Sequence, residues 1–146
     1  RLMIGVGTNI LLNAVRTYEK NHVVAKQTLE AMLSNKEAVA FTDIVIFEFI
    51  AQVTNQSDPS KALTTAQAIA QMENWLSSPG TQVIRNSDKD FKTFARLCAE
   101  SGRTGQNIFD VQVAAICIDN GVTEFVTGDK GFEKFTELRI RNPFAA

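Results

Sequence analysis

Short apolar runs alternate along the chain with longer stretches of helical periodicity. Residues 2–6 (LMIGV) form an apolar run closed by Gly7, the pattern of a buried strand. Residues 10–35 read as two helical pieces, in which Val23, Val24, Leu29, Met32 and Leu33 are spaced for one buried face. Residues 39–41 predict a second strand, and Thr42 or Asp43 is placed to cap a helix running to about Val53. The cluster NQSDPS at 55–60 predicts a turn. The next helix is predicted over 63–76, where Ala66, Ile69, Ala70, Met72 and Trp75 fit the helical period, and Ser78-Pro79-Gly80 breaks it. Residues 82–84 predict a third strand. Ser87, with Asp90 three positions on, has the form of a capping box that opens a helix to about Glu100, stopped at Gly102. Asn107 is placed to cap a helix over 108–119, which Asn120-Gly121 terminates. A fourth strand is predicted over 124–127, a short helical turn over 130–135 and a fifth strand over 138–141.

Strands separated by helices imply right-handed crossovers and a mainly parallel sheet with helices on both faces. Ligands of such sheets bind beyond the carboxyl ends of the strands, where the strand order reverses. The residues to inspect are therefore Gly7-Thr8-Asn9 after the first strand and Thr127-Gly128-Asp129 after the fourth.

At 146 residues, with no repeat, linker or low-complexity stretch, residues 1–146 are expected to form a single domain. A composition 45% hydrophobic and 21% charged is that of a globular chain, and its apolar runs fall well short of the ~20 residues of a membrane span. Fifteen Lys and Arg against sixteen Asp and Glu exclude a strongly basic nucleic-acid coat, but leave room for a local basic groove. The N-terminus runs straight into a strand-like segment, so no leader is expected; Met3 reads as an initiator, with Arg1 and Leu2 as a tag remnant. Cys98 and Cys117 read as buried free thiols of a reducing, cytoplasmic compartment, and two cysteines make neither a disulfide framework nor a zinc site. The only histidine, His22, reads as a surface residue with no nucleophile motif beside it. Neither a P-loop nor a dinucleotide fingerprint occurs. Any chemistry falls to carboxylates.

Three of these stand out. Glu48 lies in Ile44-Val45-Ile46-Phe47-Glu48-Phe49-Ile50-Ala51, apolar on nearly every side. A charge there needs a cation, hydrogen bonds or a gap in the packing, and a narrow solvent-facing stripe with Gln52 is the plain alternative. Asp110 sits in the first turn of its helix, where the helix dipole alone would favour it. Asp129 follows a strand in Thr127-Gly128-Asp129-Lys130-Gly131, where an Asx-turn or a cap would explain it. Together they have a different meaning: carboxylates gathered at one strand end repel unless a cation neutralises them, and oxygen-only ligands select hard ions such as Mg²⁺ or Mn²⁺.

Ile4-Gly5-Val6-Gly7-Thr8-Asn9-Ile10-Leu11-Leu12, then Glu48, then Asp110, then Thr127-Gly128-Asp129-Lys130-Gly131-Phe132 resemble a PIN domain, and more narrowly the VapC-like toxins of bacterial type II toxin–antitoxin modules. The resemblance spans essentially the whole chain. It implies a three-layer α/β/α sandwich around a mainly parallel sheet of four to five strands. It also implies a metal-dependent endoribonuclease that uses Mg²⁺ or Mn²⁺, forms a homodimer, acts on RNA and is inhibited by a cognate antitoxin protein. Residue by residue, it makes Glu48, Asp110 and Asp129 the catalytic acids and metal ligands, with Thr8, Asn9 and Thr127 in support. Arg103, Lys130 and Lys134 are the basic candidates for steering RNA phosphates.

Gly7 departs from the pattern, because the family places an aspartate there that usually belongs to the metal cluster. Its loss removes an oxygen and a negative charge, so metal affinity and water activation should suffer. The chain is then either a natural, binding-only member or one whose Asp codon was changed to Gly, and the second account is preferred. Two other classes stay open: an interaction module that binds RNA or a protein without cutting, and a flavodoxin-like small-molecule domain whose acids are merely caps.

Overall fold

The structure, a computed structural model, describes residues 2–34, 38–87 and 90–145. In chain order these form β1 (Met3–Val6), α1 (Thr8–Val15), α2 (His22–Ser34), β2 (Ala38–Thr42), α3 (Asp43–Thr54), α4 (Thr65–Leu76), β3 (Thr81–Ile84), α5 (Asp90–Ser101), α6 (Ile108–Asp119), β4 (Glu124–Val126) and β5 (Arg139–Arg141). The strands lie in the order β3-β2-β1-β4-β5 and every pair is parallel. With the right-handed crossovers that parallel strands take, α1–α4 cover one face and α5 and α6 the other. This is the expected three-layer α/β/α sandwich, with all five strands present.

Burial on both faces explains why the central strands read as continuous apolar runs. All five residues of β2 are buried, and Phe41, Phe49, Phe125, Phe135, Leu11 and Ile116 fill the core. Thr42 caps α3 as expected: its buried hydroxyl accepts from the Val45 N–H at 3.1 Å. Gly102 and Gly121 follow α5 and α6 in the left-handed region, with φ of 65° and 83°, where a side chain would be strained. Among the described residues, no helix is long and apolar enough to cross a membrane.

Several local expectations need correction. In α2 the buried stripe is Ala25, Leu29 and Met32, while Val23 and Val24 are exposed. In α4 it is Ala68, Met72 and Trp75, and Ala66, Ile69 and Ala70 face outward. Both helices carry apolar residues on adjacent stripes, so periodicity alone leaves the choice open. In α4 the choice falls to Trp75, whose ring meets Phe49 edge-on at 5.2 Å. Asn107 makes no side-chain cap, because a short 3-10 turn (Gly105–Asn107) runs into α6 and leaves Asn107 in helical geometry rather than the extended geometry a cap requires. The 55–60 turn contains a further 3-10 turn, Pro59–Lys61, capped by Asp58. Cys117 is buried, which pushes its thiol up to about 12, whereas Cys98 is only half-buried. His22 is half-buried too, with Nδ1 donating to the Asn13 carbonyl at 2.8 Å. The expected capping box at Ser87 involves positions 88–90, and Asp88 and Lys89, like Arg1 and Asn35, lie outside the described residues.

One close approach carries much of the sheet packing. A Cβ on Gly5 would lie 2.8 Å from Cδ1 of the Phe125 ring, which itself stacks on Phe132 at 4.9 Å. Gly5→Ala is therefore expected to lower stability by about 1–3 kcal/mol through overpacking. The loss should shrink in a Phe125→Leu background, and urea denaturation of the four proteins of that cycle measures the coupling.

Candidate active site

The strand order reverses between β1 and β4, and the two segments singled out at their carboxyl ends face each other there. The Gly7 N–H donates to the Val126 carbonyl at 2.9 Å, extending the ladder by one bond. Asn9, in the first turn of α1, ties the two ends together: its Oδ1 accepts from the Gly128 N–H at 3.1 Å and from the Thr127 hydroxyl at 3.5 Å. Thr127 is buried, and its Oγ1 also accepts from the Asp129 N–H at 3.1 Å.

A cavity of about 190 Å³ opens at this point. Its polar lining is Thr8, Asn9, Glu48, Gln52, Asp110, Thr127 and Asp129, with Gly7 at its edge and Leu12, Val45, Val113, Phe125 and Phe132 as the apolar part. Helix α3 brings Glu48, α6 brings Asp110 and the segment after β4 brings Asp129. The flavodoxin-like alternative predicted acids that do not converge, and here they share one cavity. Gln52, in the sequence only a stripe partner of Glu48, also lines the cavity, and its spacing of four residues on one helix is the signal that places both on one face.

Among the described residues, each acid has one protein donor. Thr8 donates its hydroxyl to Glu48 Oε1. Asp129 Oδ1 accepts from the Gly131 N–H at 2.8 Å, as the cap of the short 3-10 turn Lys130–Lys134. Asp110 Oδ2 meets Arg103 Nη1 at 3.4 Å. These donors do not offset the crowding at Asp110. Burial, then the charge of Asp129, raises its pKa; Arg103 lowers it; Glu48 raises it again, and the outcome is about 6.

The basic candidates divide. Arg103 keeps only 11% of its side chain exposed and does not line the cavity. Lys130 and Lys134 are exposed beside the acidic turn and do not line it either.

Gly7 adopts φ −87°, ψ 159°, which any residue can take, so glycine is not required by the backbone. A Cβ there would meet Thr127 Oγ1 at 3.0 Å and Thr127 Cβ at 3.2 Å. Any side chain at position 7 would require Thr127 to give by a few tenths of an ångström.

The donor set suits a hard divalent ion, since every group that converges is a carboxylate, amide or hydroxyl oxygen. Among the described residues, no three His, Cys, Asp or Glu side chains stand close enough to hold an ion as they are placed. The acids share a cavity and a field, and would have to close further to form a coordination shell.

The PIN domain family matches residues 6–138. The chain belongs to the PIN-domain family. Its relatives include VapC ribonuclease Mb2897 of Mycobacterium bovis, 27% identical over 141 residues that cover 97% of this chain and 95% of the relative. Ribonuclease VapC37 of Mycobacterium tuberculosis is 25% identical over 138 residues, covering 94% and 95%. Among solved structures, this PIN domain superposes on VapBC2 from Rickettsia felis bound to a promoter DNA fragment, with TM-score 0.70, 22% identity and coverage of 97% and 98%. It also superposes on VapC20 of Mycobacterium tuberculosis, a sarcin-ricin loop cleaving toxin, with TM-score 0.64, 19% identity and coverage of 93% and 98%. At those identities the likeness is one of fold.

The raised Asp110 pKa has a signed consequence. An acid whose folded pKa (about 6) exceeds its ordinary value (3.8) holds its proton more tightly when folded, so its contribution to stability falls as pH rises between those values and is level above them. In EDTA, Asp110→Asn is expected to raise the melting temperature at pH 7 more than at pH 4. A melting-temperature difference that does not change with pH would contradict the crowding described here.

Proposed function

We propose that this PIN domain is a metal-dependent endoribonuclease toxin of the VapC type that hydrolyses RNA phosphodiester bonds, and that Gly7 makes this chain an impaired form of it. The observation that carries the reading is that Glu48, Asp110 and Asp129 all line one cavity at the strand switch point. The relatives named above as ribonucleases, alignable over nearly the full chain, support the same reaction class.

In this reading Glu48, Asp110 and Asp129 hold Mg²⁺ or Mn²⁺. When bound, such an ion supplies charge that stabilises the phosphoryl transition state and lowers the pKa of water. Thr8 holds the Glu48 carboxylate by its hydroxyl, and Asn9 and Thr127 keep the two strand ends in register. With Asp110 ionising near pH 6, a cation at the site would favour its charged form at neutral pH. Lys130 and Lys134, exposed beside Asp129, are the proposed contacts to RNA phosphates; with a net charge of −1 they would make binding strongly salt-dependent. Solved fold neighbours described as VapBC and FitAB complexes support an antitoxin partner, and we extend the proposal to a homodimer acting in the cytoplasm.

Gly7 favours a second reading, a PIN-like module that binds RNA or a protein partner without cutting it. Gly7→Asp separates the two. A nuclease restored in this way should cleave structured RNA with Mn²⁺, and adding Asp110→Asn should lower the rate by roughly 100-fold or more, since losing even an outer-shell partner of a metal costs roughly 10–100-fold. Mn²⁺ should also raise the melting temperature of the Gly7→Asp protein through ligand linkage. Cleavage no faster than that of the Gly7→Asp/Asp110→Asn protein, with no Mn²⁺ stabilisation, would leave the binding module standing.

A further inference from the structure

Arg103 is the one basic candidate whose side chain the structure takes out of solvent. A guanidinium meant for RNA phosphates should be solvated and free, yet this one is 11% exposed and paired with Asp110 at 3.4 Å. The rest of the group lies against Gly131. A Cβ built there would meet Nη2 at 1.8 Å, Cζ at 2.9 Å and Nη1 at 3.1 Å, so the guanidinium fills the space that a side chain at 131 would need. Gly131 is not among the glycines with positive φ, so backbone conformation is not what calls for glycine there. Gly131 in turn donates its N–H to Asp129 Oδ1 at 2.8 Å. One cation therefore touches both the acid at the start of α6 and the turn that holds the acid after β4. Its Nε is buried with no hydrogen-bond partner among the described residues, which indicates a group held by packing and charge rather than by a full set of hydrogen bonds.

We propose that Arg103 is a positioning residue: seated on Gly131, its guanidinium sets the spacing between Asp110 and Asp129 from outside the cavity they line. The seating is independent of what the acids bind, and only its consequence for Mn²⁺ rests on the nuclease reading. Outer-shell partners of metal ligands orient them, and their removal typically costs roughly 10–100-fold in affinity or activity.

The test uses Arg103→Ala, Gly131→Ala and the double variant, beside the unaltered protein. Amide hydrogen exchange at position 131 is followed by NMR in EDTA, and Mn²⁺ affinity by EPR titration without RNA. Arg103→Ala should speed exchange at 131 several-fold and weaken Mn²⁺ binding by roughly 10–100-fold. Gly131→Ala keeps the charge but takes the seat, so it should reproduce both effects, and the double variant should be little worse than Arg103→Ala alone. Unchanged exchange in Arg103→Ala, or full additivity in the double variant, overturns the seating. Tighter Mn²⁺ binding in Arg103→Ala makes the guanidinium a competitor for the acids and overturns positioning. Unchanged Mn²⁺ affinity with a raised KM for RNA and a shallower salt dependence makes it a phosphate contact, and overturns positioning as well. If the unaltered protein and its Gly7→Asp form both fail to bind Mn²⁺, the nuclease reading falls, while exchange and additivity still decide the seating.

Discussion

Like charge held in a confined space is the constraint on which the rest of this molecule depends. Glu48, Asp110 and Asp129 line one cavity that is partly shielded from water, and their repulsion, added to burial, raises the Asp110 pKa. Without a cation, the described residues offer a hydroxyl to Glu48, a guanidinium to Asp110 and a backbone N–H to Asp129.

A sheet that can hold mutually repelling groups together must be stiff at that point. Parallel pairing of β1 with both β2 and β4, burial on two faces and the Asn9 bridge between strand ends supply that stiffness. The glycines of β1 belong to the same device. Gly5 and Gly7 point to one side of the strand, where Phe125 and Thr127 lie too close for an unstrained Cβ. Gly7 is thus fitted to its neighbour Thr127, while its extended backbone is one that any residue can adopt.

Arg103 shows how exposure changes the meaning of a residue. As a letter beside Gly102 it is one more basic group that could reach a phosphate. Buried on Gly131 and paired with Asp110, it belongs to the framework of the acidic site.

The alternation of apolar runs and helical periods was enough to predict the layered parallel architecture, because burial on both faces leaves strands with no polar side to show. The order of motifs singled out Glu48, Asp110 and Asp129 as candidates, and the structure places all three on one cavity. What the sequence could not decide was which of two apolar stripes α2 and α4 bury, for that depends on the partner: Trp75 against Phe49 settles it in α4. Nor could it place Asn107 in helical rather than capping geometry, or seat Arg103 on Gly131, because both follow from how the α5–α6 loop folds back onto the turn after β4. Local pattern records what each segment must hide from water, and tertiary contact alone determines against which neighbour it hides it.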